Sequence, residues 1–266
     1  MRKKEEMMAA LEKSYTVLAP FSDSARWEFM NHFAHLRYVV EILEKLSTGA
    51  TVLDVGCYIG VFPLALRMLG YDASGNDKYI FFSKENGNAY GFSNQELEIL
   101  RNVWNEHGLV INAADILEDS QSTPRVYDIV VSIATIEHQP YPKLFLENTG
   151  KFAKSGGYIY VATPNIAKLS NRIRLLLGRA PMANIEEFYM NAKYFNGHWR
   201  EYTPQELALM AQLSKLKVVW YKAQQVESAD FHFYSPKKWL RSLARAIAKY
   251  IPGTGDTSLI LLQREN

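Results

Sequence analysis

The chain has 266 residues, 48% hydrophobic and 13% aromatic, enough for one large α/β domain with additions and a full core. Thirty basic against 28 acidic residues leave a net charge of +2, which provides no electrostatic footprint for a nucleic-acid partner. The one cysteine, Cys57, excludes an intramolecular disulfide and any multi-cysteine metal site, and it suits a reducing compartment.

The elements follow in chain order. Behind the charged start, Met1-Arg-Lys-Lys-Glu-Glu6, no apolar run marks a signal peptide, and no uninterrupted apolar stretch is long enough to span a bilayer. A cytoplasmic location is therefore expected. From Ala25 to Leu46, Phe29, Phe33, Leu36, Val39, Val40 and Leu43 recur at helical spacing, and Thr48-Gly49 ends the helix. A short buried strand, Thr51 to Val55, turns through a loop holding Gly56 and Gly60 into a helix from Val61 to Leu69. Further strands are expected at Ala73–Asn76, Leu109–Ala113, Tyr127–Ile133 and Gly157–Ala162, with helices at Gln95–Glu106 and Tyr141–Ala153. Strands alternating with helices mean a doubly wound, Rossmann-like parallel sheet covered on both faces.

After Thr163-Pro164-Asn165 the pattern changes to mixed basic, aromatic and apolar residues, read as an inserted lid over 166–200. Thr203-Pro204-Gln205-Glu206 opens a helix: Thr caps, Pro takes the first position, and Glu206 completes a capping box. A strand at Lys217–Tyr221 precedes a second lid segment over 226–256, and the last strand is Ser258–Leu262. The organisation expected is a single domain over 1–266 with an N-terminal helical cap at 1–48. Residues 237–249 form an amphipathic basic helix, which docks on an anionic membrane or lipid-linked substrate or else is a solvated face.

The strand ends carry the chemistry. A strand breaking into a helix presents backbone N–H groups at the helix start, and glycine there lets a ligand approach the backbone. Asp54 lies at the end of the first strand, Asp77 at the end of the second, and Asp115 with Ile116 at the end of the third. In an open doubly wound sheet, ligands sit at these carboxyl ends where strand order reverses. The loop Gly56-Cys-Tyr-Ile-Gly60 lacks the middle glycine of the dinucleotide fingerprint, and no phosphate loop is present. Three acids without a basic clamp suit a nucleoside that lacks phosphate and carries a positive amino group, which describes S-adenosylmethionine.

The ordered set Leu53-Asp-Val-Gly-Cys57, Asp77, Asp115-Ile116, Tyr127-Asp-Ile-Val-Val-Ser132, Glu137-His138, Gly156-Gly157, Thr163-Pro164-Asn165 and Gly197-His-Trp-Arg-Glu-Tyr-Thr-Pro-Gln-Glu-Leu207 resembles class I S-adenosylmethionine-dependent methyltransferases, in particular ubiquinone-biosynthesis-type O-methyltransferases. The resemblance implies a seven-stranded sheet with the last strand antiparallel and methyl transfer to a small-molecule or glycan acceptor at a hydroxyl oxygen. It places Asp54, Gly56, Cys57 and Gly60 around the methionine end, Asp77 at the ribose, Asp115 and Ile116 at the adenine, and the Ile133 carbonyl at the amino group. Arg37 matches an arginine that binds the cofactor carboxylate in the ubiquinone branch.

Two departures stand out. Tyr58 occupies the position of a second glycine, so its side chain must point away from the cofactor or cover it. Related enzymes that bind a divalent ion use Glu-x-x-Glu-His, whereas Ala134 here removes one carboxylate, so no metal is expected. His138 and His198 are the candidate bases for the acceptor proton, with Tyr194, Arg200 and Tyr202 as acceptor-pocket residues. Each also has a plain structural reading as a loop or packing residue, and Cys57 reads as a small buried filler. A non-catalytic relative and a nicotinamide oxidoreductase are the competing functions; Tyr58 favours the first and the missing glycine opposes the second.

Overall fold

The computed structural model describes residues 2–21, 25–46, 48–78, 92–118, 125–181, 185–190, 197–226 and 251–265, with backbone alone at 25–31 and 187. The strands are β1 Thr51–Val55, β2 Asp72–Asn76, β3 Val110–Asn112, β4 Tyr127–Ile133, β5 Ala153–Pro164, β6 Leu216–Gln224 and β7 Thr257–Arg264. They form one sheet in the order β3-β2-β1-β4-β5-β7-β6. β1 to β5 run parallel, and β7 pairs antiparallel with β5 and β6, as the alternation and the family resemblance led us to expect. β5 begins at Ala153 rather than at Gly157, because Ala153 pairs with Tyr127 before a register shift.

The helices are α1 Lys4–Leu18, α2 Ala25–Leu43, α3 Val61–Met68, α4 Asn94–Glu106, α5 Pro142–Phe152, α6 Leu169–Leu176, α7 Ile185–Met190 and α8 Pro204–Leu213. They cover both faces, and the strands divide their side chains between them with period two. Val52, Ile129, Val131, Tyr160, Leu259 and Leu261 face a core shared with α1 to α4. Leu53, Val55, Val130, Ile159, Val161 and Ile260 face a second core with α5 and α8. α3 follows directly from the β1 loop and buries Phe62, Leu64 and Leu66 almost completely, each contributing about 1.5–3 kcal/mol of apolar burial. Pro63 is tolerated because it sits in the first turn, where no intrahelical donor is needed.

Local signals set the helix ends. The Thr203–Glu206 capping box forms as read from the sequence, with the Thr203 Oγ1 accepting from the Glu206 N–H at 3.2 Å. A second box, Ser93 with Glu96, starts α4 one residue before the expected position. α2 stops at Leu43 and turns through Glu44–Leu46 by shorter hydrogen bonds. Its Leu36, Val39, Val40 and Leu43 are buried as the spacing predicts, and Phe33 packs partly buried against the same core.

The first insertion carries α6 and α7, which leave Leu175, Leu176 and Tyr189 largely exposed. The amphipathic segment 237–249 lies outside the described residues. The exit of that second insertion is anchored to the first: the Asn165 Nδ2 donates to the carbonyls of Gly253 at 2.9 Å and Gly255 at 2.8 Å, and the Arg172 Nη2 to that of Pro252 at 3.2 Å. Among the described residues, no helix is long and apolar enough to cross a membrane.

Candidate active site

The strand order reverses between β1 and β4, and the loops after these two strands meet there. Gly56 has φ +79°, and a Cβ built on it would lie 2.2 Å from the Thr135 Oγ1 in the loop after β4. The Thr135 hydroxyl in turn donates to the carbonyls of Val55 at 3.2 Å and Ile133 at 3.1 Å. Gly56 is therefore required by the close approach of two strand ends. Gly60, with φ +88°, caps α3, and a Cβ there would meet the Ile111 Cδ1 at 2.7 Å. Its glycine identity follows from packing against β3, a reason different from the ligand approach read in the sequence.

Asp54 and Asp77 are 3% and 5% exposed, on neighbouring strand ends. Cys57 lies between them: burial, then the charges of Asp54 and Asp77, push its thiol well up, so it is a neutral filler at neutral pH. Its sulfur occupies the space left by Gly75, whose Cβ would stand 2.4 Å away. The Gly56 and Cys57 N–H groups donate to the Asn76 carbonyl at 2.8 and 3.3 Å, binding the loop to β2.

Tyr58 adopts φ +49°, the left-handed conformation that a glycine takes without steric cost. Its N–H donates to the Asp77 Oδ2 at 2.7 Å, and its ring packs on the buried Phe92, 6.0 Å between centroids. The non-glycine residue thus keeps a glycine-like backbone. Ala134, at φ +53°, does the same in the facing loop. Strained backbone on both sides of a strand-order reversal marks a site where the surrounding structure over-determines geometry.

The other expected residues divide. The half-buried Asp115 accepts from the Leu117 N–H and from the Lys78 Nζ, both at 2.9 Å. Ile116 is 9% exposed, and its carbonyl accepts from the Asn148 Nδ2 at 2.7 Å. Ile133 is half-buried at the end of β4. Arg37 lies on the exposed side of α2, paired with Glu41 at 3.4 Å and over the Tyr38 ring. Arg200 is exposed and donates to the Glu206 Oε1 at 2.5 Å, where it reinforces the α8 cap. Tyr202, 3% exposed, belongs to the core under α8, and its carbonyl accepts from the Ser258 hydroxyl at 2.7 Å. Tyr194 lies outside the described residues.

His138 and His198 are brought together, with ring centroids 4.8 Å apart in an edge-to-face arrangement. The contact is made by the backbone: the Trp199 N–H donates to the Glu137 carbonyl at 2.7 Å, clamping the 198–200 loop onto the turn after β4. Glu137 is fully buried; its Oε2 accepts from the Thr163 hydroxyl at 2.8 Å, while its Oε1 has no hydrogen-bond partner. Burial pushes the Glu137 carboxyl up to about 7. Burial lowers His198, but the hydrogen bond from its Nδ1 to Glu201 at 3.1 Å and the charges of Glu137 and Glu201 outweigh it, and its pKa is raised. Both groups hold their protons more tightly than in water, which makes His198 a stronger base.

Glu137, His138 and His198 place one ligand atom each within 4.8 Å of the others, a set that a divalent ion could use. The run from Ala134 to His138 holds one carboxylate beside one histidine; His198, bonded to Glu201, joins them from a later loop. The spacing Gly197-His-Trp-Arg-Glu201 was the available signal: His and Glu three residues apart can bond each other across one turn. Thr163 was noted only as part of a motif, and its role as the Glu137 partner needs β4 and β5 side by side. A shallow cleft lined by Arg2, Leu43 and Tyr71 lies at the opposite, amino-terminal end of the sheet, away from this chemistry.

Comparison with known proteins fits this geometry. The ubiquinone biosynthesis O-methyltransferase of Nitrosomonas europaea is 28% identical over 132 residues, 49% of this chain and 50% of that protein. The enzyme of the same name from Paraburkholderia xenovorans is 25% identical over 188 residues, 70% of this chain and 72% of that protein. The chain thus spans about half the length of the first relative. A SAM dependent methyltransferase from Archaeoglobus fulgidus shares the fold with a TM-score of 0.54 and 14% identity, over 91% of this chain and 97% of that one. The family described as "Methyltransferase domain" matches residues 26–220, most of the chain, and the protein belongs to that family.

Proposed function

We propose that the protein transfers a methyl group from S-adenosylmethionine to a hydroxyl oxygen of a small-molecule or glycan acceptor in the cytoplasm. The observation that carries this reading is the pair of buried carboxylates, Asp54 and Asp77, at neighbouring strand ends beside the strand-order reversal, with a histidine–carboxylate cluster built on the turn after β4. Carboxylates accept hydrogen bonds only, so they fit a cationic amino group and ribose hydroxyls and repel phosphate.

The bound cofactor supplies the electrophilic methyl on a sulfonium. Asp54, with the Ile133 carbonyl, receives its amino group, and Asp77 holds the ribose. Asp115, paired with Lys78, and Ile116 would border the adenine. The Tyr58 ring, turned onto Phe92, walls the loop instead of filling it. With an acceptor oxygen held in line with sulfur and methyl, the carbon–oxygen bond would form as the carbon–sulfur bond breaks, and His138 or His198 would take the acceptor proton. The product S-adenosylhomocysteine would lose the sulfonium charge and keep its cationic amino group, so Asp54 would still hold it.

Calorimetric titration with S-adenosylhomocysteine tests the reading. Micromolar binding is expected, with methyl incorporation into a phenolic acceptor panel; absence of binding at millimolar ligand overturns it.

A further inference from the structure

We propose that His32, on α2, binds the α-carboxylate of S-adenosylmethionine, beside the Asp54 that receives its amino group. The inference rests on the methyltransferase reading and gives the amino-acid end of the cofactor a partner that no sequence motif marks.

Strand register fixes the level of His32. α2 runs into β1 through residues 44–50, so its amino-terminal half lies toward the carboxyl ends of the strands. Asp54 pairs with Val131, and Val131 with Tyr160. The Tyr160 hydroxyl meets the His35 Nδ1 at 2.9 Å, which brings this part of α2 over the same rung of the sheet. His32 stands one turn, about 5 Å, further toward the site.

The face agrees with the level. Leu53 and Val55 point into the core with α5 and α8, so Asp54 between them points to the face that α2 and α3 cover. His32 continues the buried stripe of Leu36, Val39 and Leu43. Its ring lies edge-on to Phe62, 5.4 Å between centroids. Phe62 is the second residue of α3, the helix that starts directly after the Gly56–Gly60 loop and whose positive end favours an anion.

His32 itself is built to meet a ligand. The residue is half-buried, yet its Nδ1 is buried and has no hydrogen-bond partner among the described residues. Buried polar atoms are otherwise paired, so an orphan beside a crevice marks a place for a bound group. Burial holds the ring down to about 4, so it is uncharged at neutral pH. A neutral imidazole still donates one N–H, and the tautomer with the proton on Nδ1 offers it to a carboxylate. The amino and carboxyl groups of the cofactor share one carbon, so a donor for the second belongs near the acceptor of the first. Arg37, to which the family resemblance gives this duty, is exposed and paired with Glu41 at 3.4 Å.

Calorimetry on the full chain compares S-adenosylhomocysteine, its decarboxylated analogue, and methylthioadenosine, which lacks the whole amino-acid end. The unsubstituted chain should bind S-adenosylhomocysteine at least about 10-fold more tightly than the decarboxylated analogue, the effect of one hydrogen bond to a charged group. His32→Phe keeps a ring against Phe62 and removes the donor. It should weaken S-adenosylhomocysteine about 10-fold and leave methylthioadenosine unchanged, and His32→Gln, whose amide restores a donor, should recover part of the loss. Equal affinity of the unsubstituted chain for S-adenosylhomocysteine and the decarboxylated analogue overturns the proposal without any variant. Full-strength binding of S-adenosylhomocysteine by His32→Phe, or an equal loss of all three ligands, overturns it as well. If the unsubstituted chain binds neither S-adenosylhomocysteine nor methylthioadenosine, the methyltransferase reading falls and this site with it. If it binds both and the discrimination survives His32→Phe, only the role of His32 falls.

Discussion

The two halves of the site are built in opposite ways. The half proposed to hold the cofactor takes Asp54 from the end of β1 and Asp77 from the residue after β2, two parallel strands paired in register. The half proposed to receive the acceptor joins a turn after β4, a threonine at the end of β5 and the 198–200 loop, whose Trp199 and Arg200 N–H groups donate to the Glu137 carbonyl at 2.7 and 3.4 Å. A half made by strand register should fail through single side chains and leave the fold intact. A half made by loop docking should couple chemistry to stability.

The sharpest test of this contrast is Asp77→Ala, which removes a carboxylate from the cofactor half. Affinity for S-adenosylhomocysteine should fall about 100-fold by calorimetry, the loss of roughly 2–3 kcal/mol expected for a charged hydrogen-bonding group. A full-strength binder would break the comparison at its first term.

On the other side, Thr163→Val strips the Glu137 Oε2 of its donor and leaves a buried carboxyl with neither oxygen satisfied. Chemical denaturation should show a loss of about 1–3 kcal/mol, together with reduced turnover. If stability is unchanged, docking of the acceptor half is not energetically coupled to this pair.

The frame shared by both halves has its own pH signature. His35, 3% exposed, shares a hydrogen bond with the Tyr160 hydroxyl at 2.9 Å and is held down to about 3 by burial, then by the nearby His32. Its folded pKa is below the unfolded value near 6.5, so protons favour the unfolded chain. The stability from the neutral form is complete above about pH 6.5 and drains away as pH falls toward 3. The slope approaches about 1.4 kcal/mol per pH unit for one histidine. Denaturant midpoints between pH 7 and 5 should drop for the wild type and less steeply in His35→Asn, where His32, held down to about 4 by burial, still contributes.

Thr203→Ala, which opens the α8 capping box, should cost about 1 kcal/mol of stability without altering S-adenosylhomocysteine affinity. Arg37→Ala is expected to have the smallest effect. Its exposed pair with Glu41 contributes under about 0.5 kcal/mol to stability. A large loss of nucleoside affinity in that variant would mean that the arginine swings from Glu41 to the cofactor carboxylate, as the family resemblance implies.

Most of the sheet was legible because its signals are local. Thr51–Val55, Tyr127–Ile133 and the final apolar run declare themselves as strands by continuous β-type composition, and Thr203 with Glu206 names a helix start within four residues. The first-half helix of the cap, α1, was foreseen only as part of a helical region, because its mixed sequence shows little periodicity before it packs on α3. In the site, His138 and His198 were visible as separate candidates and Glu137 as the residue beside the first, but nothing near Glu137-His138 in the chain announces His198.

The sequence by itself determined which segments become strands and helices, that the sheet is buried on both faces, and that acids stand at three consecutive strand ends. These follow from periodicity, capping and chain order, which act over a few residues. Only the tertiary structure decided that Gly60 is small to admit Ile111, that the Tyr58 ring packs on Phe92, that Arg37 pairs with Glu41, and that Glu201 bonds His198 beside Glu137. Such contacts depend on where strands and loops far apart in the chain are brought side by side, and no local pattern of residues encodes that distance.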